Sequence, residues 1–151
     1  MKKIYFFIFI ITTLVLLQSC GYKKIYASSN VQFRIDNIEY SENNLNNQIV
    51  KILKSFTNSK SVNKYNLALK TKIEKRVVSK DSKGDPQSYE IKIIAEINIF
   101  NESDNYTKSF SSQAKYNNDE NKFKLKQYEI EIEKQLVEKI IEKILLFLTD
   151  I

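Results

Sequence analysis

One cysteine, no histidine and a heavy load of lysine bound the chemistry open to this 151-residue chain. Without histidine there is no Ser-His or Cys-His nucleophilic pair and no imidazole metal ligand. Cys20, alone, can form neither an internal disulfide nor a zinc–thiolate centre. The 18 acidic residues would allow carboxylate catalysis, but no pair stands out by its spacing. No cofactor and no catalytic residue is expected. What remains is covalent modification of Cys20 and anion binding by cations. Of the 24 basic residues only Arg34 and Arg76 are arginine. Arg76, Lys80 and Lys83 flank a turn, and Lys122, Lys124 and Lys126 cluster ahead of the last helical segment. Cations so grouped can pair with anionic oxygens such as those of phosphate. The bland alternative is that such lysines only keep a surface soluble. Lys, Asn and Ile together suit an AT-rich gene, which halves the weight of the +6 charge as a functional signal.

The surroundings of Cys20 suggest its chemistry. Lys2 and Lys3 open the chain, an apolar run follows from Ile4 to Leu17, and Gln18-Ser19-Cys20 ends it. This is the layout of an export signal. As a helix the run spans about 21 Å, short of the roughly 30 Å of a bilayer's hydrocarbon core, which disfavours a transmembrane helix. Leu17-Gln18-Ser19-Cys20 resembles a bacterial lipobox. The resemblance implies cleavage before Cys20, a thioether-linked lipid on its sulfur and acylation of the new N-terminus. The rival is an ordinary secreted protein with a chance cysteine. Gly21 follows the cysteine; in the enterobacterial sorting pattern an Asp there retains lipoproteins at the inner membrane. By that analogy the protein is lipid-anchored in the outer membrane and faces the periplasm, where no nucleic-acid partner is expected. Residues 1–19 then form a signal peptide, 20–30 a lipidated N-terminus and tether, and 31–151 one domain. The mature chain loses Lys2 and Lys3 and carries a charge of +4.

The elements that must position the cations follow from periodicity. Val31, Phe33 and Ile35 alternate, then the phase shifts to Ile38 and Tyr40, predicting a strand with a bulge. Leu45, Ile49, Ile52, Leu53 and Phe56 lie on one helical face within 41–59. Ser41 is the expected cap, with Glu42 in the first turn. Residues 65–79 return to period two, with Leu67, Leu69, Ile73 and Val77 on one face. Gly84-Asp85-Pro86 marks a turn in 80–87. In 88–100 the residues Tyr89, Ile91, Ile93, Ala95, Ile97 and Ile99 share a face, while Val78, Ile94 and Phe100 fall on the other. The pair reads as a long hairpin with an apolar inner side. A second turn covers 101–105. A weaker strand runs through Tyr106, Phe110, Ala114 and Tyr116. Residues 136–148 form an amphipathic helix. The stretch 123–133 alternates like a strand, but no breaker parts it from that helix, so a helix from about Lys122 is preferred over a fifth strand. The fold class is α+β: a four-stranded, mostly antiparallel mixed sheet with two amphipathic helices packed on one face, in the order strand-helix-strand-strand-strand-helix. The first two strands, joined through a helix, can be parallel.

Several features together make the chain similar to the LptE-like lipopolysaccharide-assembly lipoproteins. They are Cys20-Gly21-Tyr22 followed by Ile25-Tyr26, the element order, and "SFSSQAKYN" at 109–117 leading into a long C-terminal helix. Lys24 stands where that family often has proline. The resemblance implies a plug within an LptD-type outer-membrane β-barrel that helps assemble it and assists lipopolysaccharide delivery, without catalysis. It also implies lipopolysaccharide contact for cations such as Arg76, Lys80 and Lys83. The alternatives are a periplasm-facing lipoprotein that binds another envelope ligand or acts as a scaffold, and, more remotely, a carboxylate-dependent enzyme.

Overall fold

The computed structural model describes residues 33–57, 61–100 and 105–151. Cys20, the export signal, the tether, Val31 and most of the second turn lie outside the described residues.

Strand β1 (Phe33–Tyr40) leads into helix α1 (Asn44–Leu53), which tightens into a 3-10 turn over Lys54–Phe56. Strands β2 (Asn63–Lys80), β3 (Pro86–Phe100) and β4 (Asn105–Asn117) follow, then helix α2 (Lys122–Asp150). The sheet order is β1-β2-β3-β4; β1 runs parallel to β2, and the other pairs are antiparallel. This is the expected α+β architecture in the expected order.

The phase shift in β1 is a bulge. Ile35 pairs with Tyr65 and Asn37 with Asn66, leaving Asp36 as the extra residue. Phe33 and Ile35 are buried before it, and Ile38 and Tyr40 are half-buried after it. One inserted residue thus keeps both ends of the strand facing the core.

Helix α1 begins later than expected. Asn43, not Ser41, is the cap: its side chain accepts from the Asn46 N–H at 2.8 Å. The Ser41 carbonyl instead accepts from Asn46 Nδ2 at 2.7 Å, so Ser41 serves the buried Asn46 and the first turn holds no acid. Leu45, Ile49, Leu53 and Phe56 enter the core, where Phe56 packs 5.5 Å from Phe33, ring centre to ring centre.

Helix α2 runs without interruption from Lys122, so the strand alternative for 123–133 is set aside. Asn121 Oδ1 accepts from the N–H groups of Phe123 and Lys124, both at 3.1 Å, and starts the helix. Leu125, Glu129, Ile132 and Leu136 then continue at helical spacing onto the face that buries Val137, Ile140, Ile141, Ile144 and Leu148. Phe123, Tyr128 and Ile130 of the alternating stretch stay exposed.

One expectation for the core fails. Leu67 and Leu69 are buried, but Ile73 and Val77 on the same face remain 43% and 42% exposed. The reason is a mismatch of lengths. Ten residues make α1 about 15 Å long, whereas the 18 residues of β2 reach about 60 Å. Strand β1 stops at Tyr40, opposite Leu69. Only α2 is long enough to reach the far half of the sheet, and it lies over β3 and β4. Ile91 and Ile93 are therefore buried while their β2 neighbours Lys75 and Ile73 are not. On the opposite face Val78 and Phe100 are exposed and Ile94 half-buried, as expected for a sheet side without helices.

Candidate functional site

The three cations singled out from sequence sit at the far end of the hairpin, in three different settings. Arg76 lies on the helix-free face, opposite Glu90 in the register. Its Nε and one terminal nitrogen approach Glu90 Oε1 at 2.8 and 2.7 Å. Glu90 is nearly buried, so Arg76 balances a carboxylate that would otherwise be costly to enclose. Lys80 ends β2 and is exposed. Lys83 belongs to the turn that Asp81 organises. Asp81 Oδ1 accepts from the N–H groups of Lys83 and Asp85, both at 2.8 Å, and the Asp81 carbonyl accepts from Gly84 at 3.1 Å. Gly84 has φ of +90°, which glycine adopts without strain. Asp81 thus serves the backbone, and the turn holds Lys83 outward.

The same end gathers the start of α2. The Asn118 N–H donates to the Gln87 carbonyl and Asn118 Nδ2 to the Pro86 carbonyl, at 2.7 and 2.8 Å. This ties the β4–α2 connection to the hairpin turn. Between them lies an open hollow of about 850 Å³, bordered by Ser79, Asp81, Asp85, Tyr89, Asn118 and Lys122. Lys122 and Lys124 stand in the first turn of α2 and Lys126 in its second. Cations there face the positive end of the helix dipole, an arrangement that an anion would relieve. Lys80, Lys83 and Lys122 therefore share one end of the domain, interspersed with Asp81, Asp85, Asp119 and Glu120. Among the described residues no group of side chains has the composition of a metal site, and no helix is long and apolar enough to cross a membrane.

Sequence reasoning overlooked Lys75, although alternation puts it on the apolar face between Ile73 and Val77. Its Nζ pairs with Glu129 Oε1 of α2, and Tyr116 donates its hydroxyl to the same oxygen at 2.8 Å. Lys75 also stands 4.6 Å above the ring of Tyr89, which stacks on Tyr116 at 5.5 Å. This cluster joins β2, β3, β4 and α2 where the apolar core thins. Burial pushes the Tyr116 hydroxyl up to about 12, with the Glu129 carboxylate adding to the effect. Burial alone would raise the pKa of Glu129, but hydrogen bonds from Lys75 and Tyr116 outweigh it and hold the carboxyl below its ordinary value. Burial likewise opposes charge on Lys75, yet Glu129 and Tyr116 keep its pKa above the ordinary lysine value.

These directions set a pH dependence. The Tyr116 and Lys75 contributions are present below their unfolded values, near 10, and fade as pH rises through the folded ones, for Tyr116 about 12. The Glu129 contribution is present above its unfolded value of 4.5 and fades as pH falls through the lower folded value. Thermal melts across pH should therefore show a plateau between these limits. Tyr116→Phe should flatten the alkaline limb. Glu129→Leu should cost about 2 kcal/mol at neutral pH, because the tyrosine hydroxyl loses its acceptor and Lys75, still partly in water, loses its partner. A Glu129→Leu variant as stable as wild type, with the same pH profile, would remove the cluster from the account of stability.

No family model matches the chain, and no curated protein matches it significantly. Solved structures do. The crystal structure of rare lipoprotein B from Shewanella oneidensis superimposes with a TM-score of 0.54 at 16% identity, covering 72% of this chain and 92% of that one. The solution structure of an uncharacterized lipoprotein B from Nitrosomonas europaea gives a TM-score of 0.56 at 14% identity, covering 83% and 88%. The chain has the fold of these bacterial lipoproteins. At such low identity the likeness concerns architecture: the four-stranded mixed sheet with both helices on one side.

Proposed function

We propose that this chain is a non-catalytic outer-membrane lipoprotein, anchored through a lipidated Cys20 and facing the periplasm. In this reading it plugs and helps assemble an LptD-type β-barrel and assists delivery of lipopolysaccharide to the outer leaflet. The observation that carries the proposal is the bare sheet face. Both helices pack on one side, so the other presents Arg76 and Lys115, flanking the nearly buried Glu90, and the row Glu74–Lys92–Gln113 to the surroundings. Val78, Ile94 and Phe100 are scattered among these polar groups. Such a mixed, largely polar face suits the polar interior of a large outer-membrane barrel. The fold shared with solved lipoproteins, the lipobox-like stretch before Cys20 and the family resemblance all point the same way.

Within that reading the hairpin end lies inside the barrel, and Lys80 and Lys83 meet lipid phosphates, with Arg76 beside them. One charge-assisted contact is worth about 1.5–3 kcal/mol, so a single substitution in a site of several contacts changes little. The test is the double variant Lys80→Glu/Lys83→Glu, together with photocrosslinking from both positions. Lipopolysaccharide crosslinks should disappear while the barrel still copurifies from detergent-solubilised outer membrane. If neither position crosslinks to barrel or lipopolysaccharide, the hairpin is misplaced. If no barrel copurifies, the plug reading fails, and a lipoprotein that binds another envelope ligand or acts as a scaffold replaces it.

A further inference from the structure

Strand β2 outlasts its neighbour. Beyond the Tyr40–Leu69 pair the connection to α1 still touches β2, where Thr71 Oγ1 and Asn43 Oδ1 lie 3.5 Å apart. From Lys72 to Lys80, no described strand borders the side away from β3. Alternate residues of a strand direct their backbone N–H and C=O groups to each edge, so this stretch offers a row of unpaired donors and acceptors. It is longer than the roughly five to six residues of an ordinary strand. No proline interrupts it, and Ile73 and Val77 stay open on one face and Val78 on the other. On the opposite margin of the sheet, Lys143 reaches from α2 and donates to the Ser111 carbonyl of β4 at 2.6 Å.

The charges on β2 say what can sit there. Lys72, Lys75, Arg76 and Lys80 stand against the single carboxylate Glu74, which pairs with Lys72 at 2.7 Å. Lys75 and Arg76 are held in place from the interior by Glu129 and Glu90. A guanidinium has five donors and an ammonium three, so each retains capacity for a second carboxylate. A second copy is the less favoured occupant: antiparallel pairing of two β2 edges centred on Arg76 sets arginine against arginine and Lys72 against Lys80, and centring on Lys75 brings Glu74 to Arg76 but sets Lys75 against Lys75 and Lys70 against Lys80. Residues 21–26, with Lys23 and Lys24, bring further positive charge. Lysine on an edge strand repels like strands and by the same charge favours an acidic one.

We infer that the open edge of β2 is an acceptor for an acidic, β-forming segment of a partner protein, which adds as a fifth strand along residues 72–80. Apolar side chains of that segment lie beside Ile73 and Val77, and its carboxylates lie on the other face beside Lys72 and Arg76. Backbone pairing supplies affinity and the alternating side chains supply selectivity. The inference does not rest on the barrel reading.

A short alternating Glu–Val peptide is the probe, with Lys–Val and Ser–Val peptides of equal length as comparisons. Hydrogen exchange is followed on the full chain in detergent. With Glu–Val, amides between 72 and 80 should slow, and the Lys–Val peptide should bind at least about tenfold more weakly. The variant Lys72→Glu/Val78→Glu should reverse that order. Three outcomes overturn the inference. One is equal protection by all three peptides. Another is protection of residues 105–117 instead. The third is slowing at 72–80 from raised protein concentration alone, which would identify a second copy as the occupant.

Discussion

Deletion of residues 136–151 will abolish the fold. Leu136, Val137, Ile140, Ile141, Ile144 and Leu148 are essentially inaccessible to water. Each buried side chain of this size stabilises by about 1.5–3 kcal/mol. The six together match or exceed the roughly 5–15 kcal/mol by which a native domain is stable, even after allowing for compactness of the unfolded chain. Their loss uncovers Ile91, Ile93 and Ile97, the centre of the inner sheet face. A gentler variant, Ile140→Asp, keeps the chain length and places one unpaired carboxylate in the same layer, which desolvation opposes strongly. Both variants should lose cooperative urea unfolding and near-ultraviolet circular dichroism, and the truncated protein should aggregate. A truncation that stays soluble, monomeric and cooperative would show that α2 is not the cover of this sheet.

Substitution of Cys20 by alanine will remove lipidation entirely. An acyl chain contributes about 0.8 kcal/mol per buried CH₂; one chain gives marginal binding, whereas several anchor durably. The mature wild-type N-terminus should begin at Cys20 and carry a diacylglyceryl group on sulfur and an acyl group on nitrogen. Cys20→Ala should incorporate no labelled palmitate and accumulate as the precursor beginning at Met1. Mass spectrometry of the intact protein and of its N-terminal peptide reads both. An unmodified cysteine in the wild type, or cleavage at another bond, would sink the lipoprotein reading while leaving the described fold untouched.

Local order was legible in the sequence because it is written in period. The phase shift at Ile35 to Ile38 became the bulge at Asp36. The apolar alternation of β3 became the buried row Ile91, Ile93, Ala95, Ile97 and Ile99. The helical spacing of 136–148 became the packed face of α2. The turn around Gly84 placed Lys80 and Lys83 at one tip. Each depends on residues a few positions apart, whose side chains are oriented by backbone geometry alone.

The tertiary structure decided what each face meets. Period two puts Ile73 and Val77 on the inner side of β2 but cannot say that α1 is too short to reach them. That outcome is set by element lengths compared across the fold. The cap of α1 is Asn43, whose side chain accepts from the Asn46 N–H, while the Asn46 side chain reaches back to the Ser41 carbonyl. Arg76 found Glu90 through the hairpin register, 14 residues away. Lys75, Tyr116 and Glu129 met only because β2, β4 and the first turns of α2 converge, with 54 residues separating Lys75 from Glu129. A lysine on an apolar strand face is a visible anomaly in one dimension. Its partner is not, because the carboxylate that satisfies it is chosen by packing, where burying either charge alone would cost more than the pair.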